Sequence, residues 1–164
     1  MKKMHIIAVL VLFTLAVKAQ NGKAYSTSGQ VLIGYPGHNV SLQFELPNHW
    51  GLETFYQSND LYSPEFDNTD VFPDRLAANV YYKHEWNELW STHFGAGTSV
   101  SGRSVLAEGT PFRGMLNFST YYALNERWSL AVQWILVANK KVNDQVLREP
   151  NAIGIGVRYQ FGQL

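Results

Sequence analysis

Ser91 and His93 stand two residues apart in the stretch KHEWNELWSTHFGAG (83–97), which also supplies Lys83 and Glu85. A hydroxyl and an imidazole at i and i+2 share one face of a strand, as a nucleophile and its general base must. Glu45, Glu53, Arg113 and Arg158 occupy equivalent polar-face positions in other segments. Three chemistries fit this set: acyl transfer at Ser91 and His93, an ion or proton path, or a polar network that neutralises itself. No oxyanion donor accompanies the Ser-x-His pair, so no catalytic residue is assigned. Glu45, Glu53, Lys83, Glu85, Ser91, His93, Arg113 and Arg158 read together as a buried polar network. The acidic run NDLYSPEFDNTDVFPD carries Asp60, Glu65, Asp67, Asp70 and Asp74, and carboxylates suit hard cations. Its spacing matches no EF-hand, so it reads as a solvated loop, and no metal or cofactor is assigned.

These residues need elements to position them, and the period of the chain supplies them. Apolar and polar residues alternate at period 2 in eight segments, most of them about 8–12 residues long. Leu76, Ala78, Val80, Tyr82, His84 and Trp86 oppose Ala77, Asn79, Tyr81, Lys83 and Glu85. Phe112, Gly114, Leu116, Phe118, Thr120 and Tyr122 oppose Arg113, Met115, Asn117, Ser119 and Tyr121. The same alternation runs through 31–35, 40–46, 50–57, 88–100, 128–138 and 153–161, with Phe55 an apolar exception on a polar face. Short turns are expected at 36–37, at Pro47-Asn48-His49, at Asn87 and at Asn125, and long polar links at 59–75, 101–111 and 139–151. From the second strand on, short and long links alternate, as in an up-and-down barrel of an outer membrane.

The apolar face could point inward, around a ligand in a soluble periplasmic barrel, or outward to lipid. Eight strands enclose room for little more than side chains, and the apolar face carries Trp, Tyr or Phe on every strand. The polar face instead offers Gly34, Gly51, Gly95, Gly97, Gly154 and Gly156 with charges of both signs. Trp50, Trp86, Trp90 and Trp128 each flank one of the three later short turns, as an aromatic girdle at one membrane interface requires. The expected fold is therefore all-β, an eight-stranded antiparallel up-and-down transmembrane β-barrel. A soluble ligand-binding barrel is the alternative.

Over residues 28–161 this pattern resembles the small eight-stranded outer-membrane barrels of the OmpA/OmpX-like class. The ending GIGVRYQFGQL resembles the aromatic closing strand read by the barrel-assembly machinery, although Phe161 lies three residues before the end. Residues 128–161 are also similar to the end of the outer-membrane lipid A deacylase family. Asn139 and Pro150-Asn151 match that family's pattern, but its His and Ser fall on Leu136 and Ala138, which move no protons. None of that family's catalytic residues carries over.

Lys2 and Lys3, the apolar run Ile6 to Ala16 and the small residues before Gln20 give residues 1–19 the anatomy of a signal peptide, leaving 20–164 as the barrel domain. Losing Lys2, Lys3 and Lys18 leaves 10 basic against 13 acidic residues, a net charge of −3. Nucleic acid is thereby excluded as a partner, since phosphate binding needs a positive face. There is no cysteine, so packing and a hydrogen-bond ladder must hold the fold. The implied location is the bacterial outer membrane. The implied partners are its lipid and lipopolysaccharide, the assembly machinery, and a protein at the outer loops. The function expected is non-enzymatic, structural, surface-interacting or accessory; the alternative is a lipid A-modifying or lipid-binding barrel.

Overall fold

The computed structural model describes residues 25–58, 74–101, 112–138, 140–142, 145–147 and 151–163. The expected signal peptide and the acids Asp60, Glu65, Asp67 and Asp70 lie outside them. β1 (Ser26–Tyr35), β2 (His38–Glu45), β3 (Trp50–Gln57), β4 (Arg75–Glu85), β5 (Trp90–Ser101), β6 (Phe112–Ala123), β7 (Trp128–Val137) and β10 (Ala152–Gln163) close into one barrel. Each strand pairs antiparallel with its neighbour in sequence, and β10 returns to β1. β8 (Lys140–Val142) and β9 (Gln145–Leu147) form a separate two-stranded hairpin within the last long link. Sequence periodicity reads that link as polar and irregular, because three-residue strands are too short to establish an alternation.

The alternation resolves into an inverted barrel. Among the described residues, large apolar side chains such as Val31, Ile33, Leu52, Val80, Phe94, Leu116, Leu130, Val132, Ile153 and Ile155 are exposed on the outside. Gln30, Ser41, Gln43, Glu53, Asn79, His93, Asn117, Ser119 and Gln133 are buried within. An apolar coat this continuous far exceeds what a water-soluble surface carries. Along β6 the outward residues run from Phe112 to Tyr122, ten steps of about 3.3 Å, or roughly 25 Å of depth at a tilt near 40°. That matches the apolar band of a transmembrane barrel, and it leaves no place for the soluble alternative.

The short-turn end is lined outside by aromatic pairs. Trp50 faces Tyr82, Trp90 faces Tyr122 and Trp128 faces Tyr159 across neighbouring strands, with ring centroids 5.5, 4.9 and 4.7 Å apart. Trp86 lies at the same end, its Nε1 donating to Thr92 Oγ1 at 2.9 Å. β1 brings no aromatic to this row. Instead the β1–β10 register shifts by one residue, so that Phe161 is bulged out between the partners of Thr27 and Ser28. Its ring lies over Gly29, where an added Cβ would come 2.8 Å from Phe161 Cζ. The missing aromatic on β1 is thus supplied by its neighbour.

A lipid-facing exterior makes a depth-dependent prediction. Val132, at the centre of β7, is exposed on the apolar face, and Ala138 lies at its rim. Val132→Arg is expected to cost about 2–4 kcal/mol and Ala138→Arg about 0–1 kcal/mol, read from urea unfolding in phospholipid vesicles. Equal costs at the two positions would contradict a bilayer around this face.

Candidate functional site: a filled polar lumen

The inward side chains stack in layers. At the long-link end, Phe55, Ala77, Met115, Ile135, Val137 and Ala152 make an apolar plug. Phe55, the exception to the polar face of β3, belongs here. Below it sits Glu53, 2% exposed. Its carboxylate accepts hydrogen bonds from Gln43 Nε2 and Asn79 Nδ2, both at 3.1 Å, from Gln133 Nε2 at 3.3 Å, and from Asn117 Nδ2. These donors come from β2, β4, β7 and β6, so one carboxylate ties strands around most of the barrel. No cation is among them. Four carboxamides satisfy its oxygens by donation, as a buried carboxyl group requires.

The carboxamides are themselves tied. Gln43 Nε2 also reaches Tyr121 Oη at 2.7 Å, Asn39 Nδ2 donates to Gln133 Oε1 at 2.8 Å, and Ser28 Oγ to Gln43 Oε1 at 3.2 Å. Tyr121 opens the next layer, where His93 stacks face-on upon Tyr81 at 4.3 Å and lies 4.5 Å from the Tyr121 ring. Arg158 covers the Tyr121 ring at 4.5 Å. Tyr81 fits only because its register partner is Gly51: an added Cβ there would stand inside the phenol ring. At the short-turn mouth Lys83 Nζ bridges Glu45 at 2.9 Å and Glu85 at 2.7 Å.

Each residue singled out from the sequence has a definite place. Glu53, Lys83 and Glu45 take part in hydrogen bonds within the lumen, and Glu85 joins Lys83 from the half-exposed rim. Arg113 is buried at the long-link end opposite Ser99. Ser91 is half-buried near the mouth, whereas His93 is stacked against Tyr81 instead of being presented to Ser91. Among the described residues His93 Nε2 has no hydrogen-bond partner. Asp74 accepts a hydrogen bond from Tyr56 on the outer surface. No group of three or more potential metal ligands occurs among the described residues. Leu136 and Ala138 face outward, Asn151 Oδ1 accepts from the Val137 N–H at 3.2 Å, and Asn139 and Pro150 lie outside the described residues.

Sequence reasoning, which sought charges, passed over Gln43, Asn79, Asn117, Gln133, Tyr81 and Tyr121. A signal for the tyrosines exists in the doublets Tyr81-Tyr82 and Tyr121-Tyr122. Two adjacent strand residues face opposite ways, so each doublet sends one phenol into the lumen and one to the girdle.

Removing the central acceptor should be costly. Glu53→Ala leaves the buried amides of Asn79, Asn117 and Gln133 without this acceptor and Gln43 with Tyr121 alone, and a loss of about 3 kcal/mol or more is expected. Glu53→Gln keeps one oxygen and should lose less. Urea unfolding of the two variants in micelles checks this order; an Ala variant as stable as the wild type would remove Glu53 from the centre of the network.

No family model and no curated protein matches the chain. Among solved structures, a de novo designed transmembrane β-barrel aligns at 12% identity with a TM-score of 0.55, covering 86% of this chain and 98% of that one. The outer-membrane protein Ail of Yersinia pestis, in a phospholipid bilayer nanodisc, aligns at 14% identity with a TM-score of 0.50, covering 85% of this chain and all of that one. At such identities the likeness concerns the fold. With its closed ladder and lipid-compatible coat, the chain has the fold of the small eight-stranded outer-membrane β-barrels, and the outer membrane is its location.

Proposed function

We propose that the chain is a non-enzymatic outer-membrane protein with a structural, surface-interaction or accessory role, acting through its three long links. In this reading residues 1–19 are removed on export, and the assembly machinery inserts the barrel. The short-turn end then faces the periplasm, and the long links meet the lipopolysaccharide and a protein partner. The observation that carries the reading is the filling of the lumen. Among the described residues an apolar plug, a fully bonded carboxylate and an aromatic–arginine layer follow one another along the axis and fill it. What remains available for recognition is the outer end. No observation favours the deacylase reading, since Leu136 and Ala138 hold the positions its chemistry would need.

The test is made on barrel that migrates faster unboiled than boiled on SDS gels, the sign of a folded membrane barrel. In planar bilayers such protein is expected to give no discrete conductance steps. Steps of defined size would overturn the filled lumen. In a Gram-negative host, lipid A species are expected to match an empty-vector control by mass spectrometry. Loss of an acyl chain would overturn the non-enzymatic role.

A further inference from the structure

The outward face is not equally tall around the barrel. On β5 and β6 its residues run from Trp90 to Val100 and from Phe112 to Tyr122, ten steps or roughly 25 Å of depth. On β2 and β3 they run from His38 to Phe44 and from Trp50 to Tyr56, six steps or roughly 15 Å at the same tilt. Pro36 and Gly37 alone join β1 to β2, so the wall ends there. Tyr35 and Val40, 49% and 50% exposed, leave this flank open on its outer side.

The register locates the missing height. From Val31 one path of partners runs through Val40, Tyr56 and Leu76 to Val100. The other runs through Val157, Leu130 and Tyr122 to Trp90. The two paths reach β5 ten residues apart, so a row of partners climbs about 3 Å per strand from β1 towards β6. Phe112, four strands along the row of Val40, stands roughly 12 Å above it, whereas His38 stands roughly 5 Å above it. The long-link edge is thus about 7 Å lower at β2 than at β6. By the same steps Trp90 lies roughly 4 Å below Trp50, within one side chain's length, and the girdle is near level. Tilting the barrel to level its long-link edge would drive these two tryptophans further apart, so tilt does not remove the mismatch.

Polar groups mark the lower edge. Tyr35 and Tyr56 carry hydroxyls there, Tyr56 donates to the exposed Asp74 carboxylate, and His38 is exposed at the same edge. The tall flank ends instead in Val100 and Phe112. Tyrosine suits a membrane interface, and a carboxylate is costly in hydrocarbon. We infer that the β2–β3 flank is a contact surface for locally thinned bilayer, whose headgroups descend to Tyr35, His38 and the Tyr56–Asp74 pair. An apolar wall shorter than the surrounding hydrocarbon draws the lipid in. Lipid is the occupant because headgroups and their water satisfy the groups at this edge. The inference concerns the lipid-facing wall and does not depend on which partner the long links meet.

The chain has no cysteine, so one substitution places one nitroxide label. Val40 and Ala96 are nearly level: Val100 lies about 9 Å above Val40 along their row, and Ala96 about 10 Å below Val100. Leu52 and Phe94 are likewise nearly level, and nearer the girdle. Val40→Cys, Ala96→Cys, Leu52→Cys and Phe94→Cys are labelled in phospholipid vesicles, each first shown to be folded by its heat shift on SDS gels. Electron paramagnetic resonance then compares accessibility to oxygen and to a water-soluble nickel chelate. The Val40 label is expected to read shallower than the Ala96 label, with a several-fold higher nickel-to-oxygen ratio, and the Leu52 label no deeper than the Phe94 label. Equal depths at Val40 and Ala96 would overturn the thinned flank. A shallow Val40 with a Leu52 deeper than Phe94 would also overturn it, in favour of rigid tilt. A Val40 label shielded from both reagents would assign the flank to a second copy of the chain.

Discussion

Ten residues of β1 find their backbone partners on β10, at the opposite end of the chain, and this seam is the contact on which the molecule depends. In a bilayer a strand with one open edge would leave its amides and carbonyls without any partner, at several kcal/mol per group. Local strand pairing alone cannot solve this, because a meander always leaves its first and last strands open. Closure at eight strands then fixes the circumference, and the circumference fixes how much side chain the lumen can hold. Gly51 beneath Tyr81 is a direct consequence: in a lumen this narrow the phenol lies over the neighbouring strand only where that strand carries no side chain. The bulge that turns Phe161 over Gly29 is a second, since it repairs the girdle at the one place where the seam interrupts it.

The same closure reverses the usual logic of a core. Apolar side chains are satisfied by lipid, so the interior gains nothing from being wholly apolar and must satisfy whatever polarity it holds. The lumen does this unevenly. Around Glu53 the donors are numerous and mutually braced, and the network crosses the barrel from β2 to β7. Around Arg158 they are few, and the partners are rings. Fully connected polar networks rigidify a core and specify its packing. The contrast between the two layers locates the rigid part of the lumen near Glu53.

Much of this was legible in the sequence, and for a definite reason. Period-2 alternation is a local property, so the eight barrel strands, the short turns and the outward face of Val31, Leu52 or Val132 follow from each segment alone. The inward direction of Glu53, Lys83 and His93 follows equally. Contacts across the lumen do not, because they depend on the stagger between strands. Nothing in the order of residues says that Asn79, Asn117 and Gln133, on three different strands, converge on Glu53. For the same reason the Ser91 and His93 pair promised more than it delivers. Sharing a face sets direction, but the Tyr81 ring decides what the imidazole touches. The β8–β9 hairpin escaped because its strands are shorter than two periods.

The three later short turns show how the girdle is set at one depth. Each encloses three residues and returns its chain with a tryptophan: Leu46 to Trp50, Trp86 to Trp90, Leu124 to Trp128, with backbone bonds of 2.7, 2.9 and 2.9 Å closing the loops. In the second and third, Asn87 and Asn125 follow the closing residue, and each carboxamide oxygen accepts from two backbone N–H groups, the second being that of the tryptophan, at 2.9 Å. The first turn has Pro47 at that place, which lacks the N–H that Asn87 and Asn125 give to the tryptophan carbonyl. There Asn48 contacts the Trp50 N–H at 3.4 Å, His49 donates to Leu46 at 3.2 Å and adopts φ 68°, and the turn closes by another route. Two turn chemistries thus end in one arrangement, a tryptophan as first strand residue with a tyrosine opposite. Any of the three would place its indole by local bonds alone. The depth of the barrel in the membrane is thus marked at each of the three turns, and the closed ladder holds the three anchors level.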